Sequence, residues 1–136
     1  MKSLFVDTSG LIALGNAHDK FHKQSALLFK ECIISKKQFV TTNAVILELT
    51  NAFSAVKYKP IAIRLVELIY GSKDWSVVIV DKILMDKGIK KFKQMNDKDW
   101  GVVDCISMIV AESMDINEIF TNDHHFEQAG FTILLK

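Results

Sequence analysis

Five short runs of apolar and β-branched residues, each set apart from the next by segments of helix length, restrict this chain to an α/β arrangement. The runs are Leu4 to Val6, Gln38 to Thr42, Trp75 to Val80, Asn117 to Thr121 and Phe131 to Leu135. Strands separated by helices pair in parallel, with helices on both faces, and right-handed crossovers gather the strand ends at one edge. Ligands of such sheets sit beyond the carboxyl ends of the strands, where the strand order reverses. Two of the runs lead directly into an aspartate: Leu4-Phe5-Val6 into Asp7-Thr8-Ser9-Gly10, and the fourth run into Thr121-Asn122-Asp123. If the first and fourth strands are neighbours, Asp7 and Asp123 meet at that crevice.

The helices are readable from apolar spacing and caps. Ser9 to Gly15 gives a short one with Thr8 or Ser9 as cap. A second opens at His18-Asp19 and ends near Lys36-Lys37, with Phe21, Ala26, Leu27, Phe29, Cys32 and Ile33 as its apolar set. Thr42 or Asn43 caps a third, about Ala44 to Val56, in which Val45, Ile46, Leu49, Ala52 and Phe53 imply deep burial and leave Glu48 needing a partner. Ile61 to Tyr70 follows Pro60 and stops at Gly71-Ser72. The third strand, apolar on both faces, reads as internal. The helix after Asp81 sets Ile83, Leu84, Ile89, Phe92 and Met95 against Lys82, Lys87, Lys90, Lys91 and Lys93. Asn96 to Gly101 is a polar turn before a helix from Val102 to Met114, with Asp104 in its first turn, where the helix dipole favours a carboxylate. His124, His125 and Phe126 form a short turn.

At 136 residues the chain suffices for one domain, residues 1–136, burying roughly two-thirds of its unfolded surface. A 49% apolar content, 24% charged residues and a single proline describe a packed globular protein. The net charge of +1 excludes binding driven by global charge, and Arg64 is the only arginine, so any nucleic-acid attraction is local and carried by lysine. Cys32 and Cys105 lack zinc-like spacing, and no signal peptide or membrane-length apolar run is present, which points to the cytoplasm.

Four carboxylates thus have positional reasons to converge: Asp7 and Asp123 from strand ends, Glu48 from an apolar helix and Asp104 from a helix N-terminus. Packed carboxylates raise one another's pKa, and a hard cation relieves the repulsion. Oxygen ligation without clustered histidine or thiolate favours Mg²⁺ or Mn²⁺. Such a site suits phosphodiester hydrolysis by a metal-activated water, with Ser9 and Thr121 hydrogen-bonding the carboxylates.

The Asp7-Thr8-Ser9 strand end, Glu48 within an apolar helix, the segment from Asp97 through Trp100 and Asp104 to Ser107, and Thr121-Asn122-Asp123-His124-His125-Phe126 together resemble the PIN-domain nucleases, and among them the compact ribonucleases that include VapC-type toxins. The resemblance covers nearly the whole chain. It implies a three-layer α/β/α sandwich with a five-stranded parallel sheet of order 3-2-1-4-5, and a Mg²⁺- or Mn²⁺-dependent endoribonuclease. It also implies the role of toxin in a type II toxin-antitoxin pair, with RNA as substrate, a protein antitoxin and a homodimer as partners. Its catalytic set falls on Asp7, Glu48, Asp104 and Asp123, with Asp7 and Asp104 as direct metal ligands, Asp123 as a direct or water-mediated one, Glu48 positioning water or serving a second metal site, and Ser9, Thr121 and Asp99 in support. The family often has Ser where this chain has Gly101, which removes the usual capping hydroxyl.

Other polar features have plainer readings. Asp99, one turn ahead of its helix, serves as a cap or structural acid. His124 and His125 read as solvent-facing loop residues, because oxygen ligands already suffice. His18 and His22 have metal-pair spacing without a third ligand, Cys105 reads as core, the lysine row as a solvated face, and Phe21, Phe53 and Tyr58 as packing that could also serve a dimer or antitoxin surface. Two alternatives stand beside the ribonuclease. One is a related nuclease of RNA processing or DNA cleavage. The other is a non-catalytic module, either RNA-binding or receiver-like, the latter weakened by the lack of a second acid at the first strand and of a late lysine.

Overall fold

The computed structural model describes residues 2–136. Its elements in chain order are β1 (Ser3–Val6), α1 (Thr8–Gly15), α2 (His22–Ile34), β2 (Gln38–Thr42), α3 (Asn43–Ala52), α4 (Lys59–Gly71), β3 (Trp75–Val78), α5 (Lys82–Gln94), α6 (Val102–Ser113), β4 (Glu118–Phe120), α7 (His124–Gln128) and β5 (Thr132–Ile133). The strands form one parallel sheet of order β3-β2-β1-β4-β5. The order departs in one direction from β1 to β3 and in the other from β4 to β5, so right-handed crossovers put α1 to α4 on one face and α5 to α7 on the other. This is the α/β arrangement, with strand order 3-2-1-4-5, that the resemblance implied. A receiver-type sheet runs 2-1-3-4-5, so the observed order removes that alternative.

β1 is the central strand. Leu4, Phe5 and Val6 are buried, as are Phe39 and Val40 of β2 and Ile119 and Phe120 of β4 on either side. α1 lies so close to β4 that a Cβ on Gly10 would overlap the Phe120 carbonyl and ring. Only glycine admits that approach, and it fixes the start of α1 against the strand that leads to Thr121.

Several expectations are corrected. β3 is an edge strand, not an internal one: Trp75 stacks on Phe39 at 4.8 Å between ring centroids, but Ile79, just beyond the strand, is 62% exposed. α1 has Asp7 at its N-cap position, ahead of the expected Thr8 or Ser9. α2 starts at His22 because residues 16–21 form a turn, in which Asp19 accepts the Phe21 N–H at 2.9 Å. Its buried positions are Ser25 and Cys32, while Leu27 and Ile33 face solvent. Thr42 caps α3 through the Val45 N–H as expected, but α3 ends at Ala52, where Phe53 turns into the core and Val56 is left outside.

α5 also sits differently from its expected amphipathic division. Leu84, Gly88, Lys91 and Met95 face the protein, whereas Ile83, Ile89 and Phe92 are exposed. Gly88 has no Cβ to hold Ile106 away, so α5 docks on α6 along a narrow line. Cys32 and Cys105 are free and buried. Among the described residues no helix is long and apolar enough to cross a membrane.

Candidate metal and hydrolytic site

The carboxyl ends of β1 and β4 deliver two of the acids to one place. The Asp7 N–H donates to the Phe120 carbonyl at 3.2 Å, which continues the β1–β4 pairing one residue past the strand and sets Asp7 beside Thr121. Although Asp7 occupies the N-cap position of α1, its carbonyl receives the Gly10 N–H and its side chain makes no capping bond. The carboxylate is therefore free to face the cleft. There Oδ2 accepts the Thr121 hydroxyl at 2.9 Å.

That hydroxyl is a hub. Its one proton goes to Asp7, so the Ser9 hydroxyl, 2.7 Å away, must donate to it. It also accepts the Asp123 N–H at 3.1 Å, while Ser9 Oγ accepts the Asn122 N–H. Ser9 and Thr121 thus tie the β1 and β4 ends together and hold both aspartates.

Asp104 arrives from the opposite face of the sheet. With glycine at the N-cap of α6 there is no capping hydroxyl, and the Asp104 carboxylate instead accepts the Gly101 N–H at 3.1 Å through Oδ2. Asp123 caps the short α7 by accepting the His125 N–H at 2.9 Å. α7 itself is fastened to the α6 approach by the Trp100 indole N–H, which donates to Gln128 at 2.9 Å.

Asp7, Glu48, Asp104 and Asp123 line one open cleft of about 680 Å³, with Thr8, Ser9, Ile12, Asn51 and Ala52. Its lining contains neither lysine nor arginine. Burial pushes the Asp7 pKa from 3.8 up to about 7; the Thr121 and Thr8 hydrogen bonds oppose this, and the Asp104 and Glu48 charges add to it. Burial likewise raises the Asp104 pKa, helped by Asp123 and opposed by the Gly101 N–H and His125. A cation placed between two carboxylates that resist ionisation would favour their anionic forms.

Glu48 reaches the cleft by a route different from the one expected. It is exposed, not buried, and accepts the Thr8 hydroxyl at 2.6 Å. Asp99 is exposed and lies outside the cleft lining.

The histidines divide sharply. His124 is 78% exposed and pairs with Glu127, which Lys136 also engages. His125, read from sequence as a solvent-facing loop residue, turns inward: its Nδ1 stands 3.2 Å from Asp104 Oδ2 and 3.3 Å from Asp123 Oδ1. The position directly after two polar residues and before the fully buried Phe126 was the available signal, since an adjacent core anchor restricts where the imidazole can go. His22 Nδ1 lies 2.8 Å from the Ala13 carbonyl, a structural contact consistent with its expected role.

Residues 4–132 match the family model described as the PIN domain. Among solved structures, the chain is similar to the VapC20 toxin of Mycobacterium tuberculosis, described as cleaving the sarcin-ricin loop. The identity is 25%, the TM-score 0.82, and the match covers 95% of this chain and 96% of that one. It is also similar in fold to FitAcB of Neisseria gonorrhoeae, at 12% identity and a TM-score of 0.66, over 96% of each chain. No curated protein matches the chain.

Proposed function

The chain belongs to the PIN domain family, and from that premise we propose that it is an endoribonuclease dependent on Mg²⁺ or Mn²⁺, acting as the toxin of a toxin-antitoxin pair. The observation that carries this reading is the cleft in which Asp7, Glu48, Asp104 and Asp123 meet with no basic residue in its lining. Carboxylates so gathered, one of them almost wholly buried, form an oxygen donor set that a hard divalent cation satisfies.

Asp7, Asp104 and Asp123 are the residues that would hold the ion. When bound, a divalent cation lowers the pKa of a water and offsets charge on the phosphoryl oxygens. The chain supplies the rest. Thr121 and Ser9 fix the Asp7 carboxylate, and the Gly101 N–H fixes that of Asp104. Glu48, held by Thr8 on the other wall of the cleft, accepts a hydrogen bond from the attacking water and orients it toward phosphorus. No side-chain nucleophile is needed.

Similarity to a toxin that cleaves the sarcin-ricin loop supports RNA as the substrate class. A protein antitoxin and a homodimer complete the proposed partners, with residues 1–136 acting as one unit in the cytoplasm. Purified protein should cut RNA when Mg²⁺ or Mn²⁺ is present and not in EDTA. Asp7→Asn and Asp104→Asn should abolish cutting while circular dichroism stays unchanged; full activity in either variant would sink the assignment. Preference for DNA would move the reading to the related nuclease alternative. Arrest of cell growth on expression, relieved by Asp7→Asn, tests the toxin role.

A further inference from the structure

Beside the acidic cleft stands the imidazole of His125, a residue whose position is well braced. His125 is the second residue of the short α7. Its backbone N–H is held by Asp123 and its carbonyl accepts the Ala129 N–H. The next residue, Phe126, is fully buried and packs edge-on against Phe131 at 6.3 Å. Two residues further, Gln128 is gripped by Trp100. The imidazole can rotate, but its attachment point stays beside the acids.

Asp104, Asp123 and His125 each offer a ligand atom, and all of these lie within 4.8 Å of one another. Two of the separations, Nδ1 to Asp104 Oδ2 at 3.2 Å and Nδ1 to Asp123 Oδ1 at 3.3 Å, are informative. Adjacent donors around an octahedral ion with bonds of about 2.1 Å stand about 3.0 Å apart. The nitrogen and the two oxygens are therefore already close to the spacing of neighbouring ligands. The same Nδ1 is within hydrogen-bond reach of Asp104, which holds the imidazole over the acids, whereas His124 next to it pairs outward with Glu127.

We propose that His125 is a direct nitrogen ligand of the divalent ion, making the centre a mixed carboxylate and imidazole site that favours Mn²⁺ and later transition ions over Mg²⁺. The proposal rests on the metal-dependent reading above. Mg²⁺ takes oxygen donors and gains little from imidazole, whereas affinity for a nitrogen-containing site rises from Mn²⁺ through Fe²⁺ and Co²⁺ to Ni²⁺. A histidine that merely neutralised the acids in the ion-free protein would have to withdraw when the ion enters. It would then lower the affinity for every cation alike.

The test is electron paramagnetic resonance of the Mn²⁺-loaded full chain, reading electron spin echo modulation from directly bound ¹⁴N. Wild-type protein and His124→Ala should carry the modulation, and His125→Ala should lose it. In parallel titrations His125→Ala should weaken Mn²⁺ at least about tenfold and leave Mg²⁺ within about threefold, with circular dichroism checking the fold. Mn²⁺ bound by wild-type protein without ¹⁴N modulation would overturn the proposal and leave the metal-dependent reading standing, and this measurement needs no variant to fold. Modulation that persists in His125→Ala, or equal losses for the two ions, would overturn it as well. Failure of wild-type protein to bind Mn²⁺ or Mg²⁺ would remove both readings together.

Discussion

Replacing Asp7 by asparagine should make the ion-free protein more stable, and increasingly so as the pH rises. Asp7 is 4% exposed, and burial holds its pKa at about 7 in the folded protein against 3.8 for the free side chain. Between those values the folded protein keeps a proton that the unfolded chain has released, so stability falls as pH rises through the window and is lowest above pH 7. At 1.36 kcal/mol per pH unit the full displacement corresponds to roughly 4 kcal/mol. Of that, roughly 2 to 3 kcal/mol is lost between pH 5 and pH 8. Asparagine keeps an acceptor for Thr121 and has nothing to ionise.

Urea unfolding of wild-type protein and Asp7→Asn in EDTA, at pH 5 and pH 8, measures the difference directly. The wild-type protein should lose about 2 to 3 kcal/mol more than the variant across that interval. Asp104, whose pKa is also raised, contributes to both proteins and cancels to first order. Adding Mn²⁺ at pH 8 should restore the wild type far more than the variant, because binding to the native state alone adds stability that grows as RT ln(1 + [L]/Kd), and the variant's Kd is weaker. Parallel pH dependences in the two proteins would refute the reasoning, since they would mean that burial exerts no net pressure on Asp7.

Thr121→Val should push the Asp7 transition to still higher pH, by removing a hydrogen bond that favours the carboxylate, and should cost about 1 to 3 kcal/mol by orphaning partners of the hub; unfolding curves across pH measure both. Gly10→Ala should destabilise by about 3 kcal/mol, because the new Cβ meets the Phe120 backbone, whereas Gly71→Ala, which meets nothing within 4 Å, should be neutral or stabilising by about 0.5 to 1 kcal/mol in thermal melts. Gln128→Ala leaves the Trp100 N–H unpaired and frees α7, so calorimetric titration should record Mn²⁺ affinity reduced severalfold with the sheet intact.

The sheet and its acids were legible because parallel strands leave a direct trace. A buried strand that stops at an aspartate is visible as an apolar run ending in Asp7, and its neighbour repeats the pattern at Asp123. The phase of a helix is harder to see where apolar residues are continuous. Ala44 to Leu47 is such a run, so Glu48 read as buried, while the folded helix turns Val45, Ile46 and Leu49 inward and puts Leu47 and Glu48 outside. β3 misled for the same reason. Its Trp75 and valines satisfy both faces, yet the property that made it an edge is the direction of the crossovers, which no local pattern records. His125 is set apart from His124 by the tertiary anchoring of α7, of which the adjoining Phe126 is the local trace.

The hydrogen bond between Thr121 and Asp7 joins residues 114 positions apart in the chain. During synthesis, β1 emerges first and can pair with β2, but its other side stays open until β4 has been made. Asp104 and Asp123 also come after β3 in the chain. The cleft therefore stays incomplete until β4 has joined β1, and its assembly coincides with closure of the sheet.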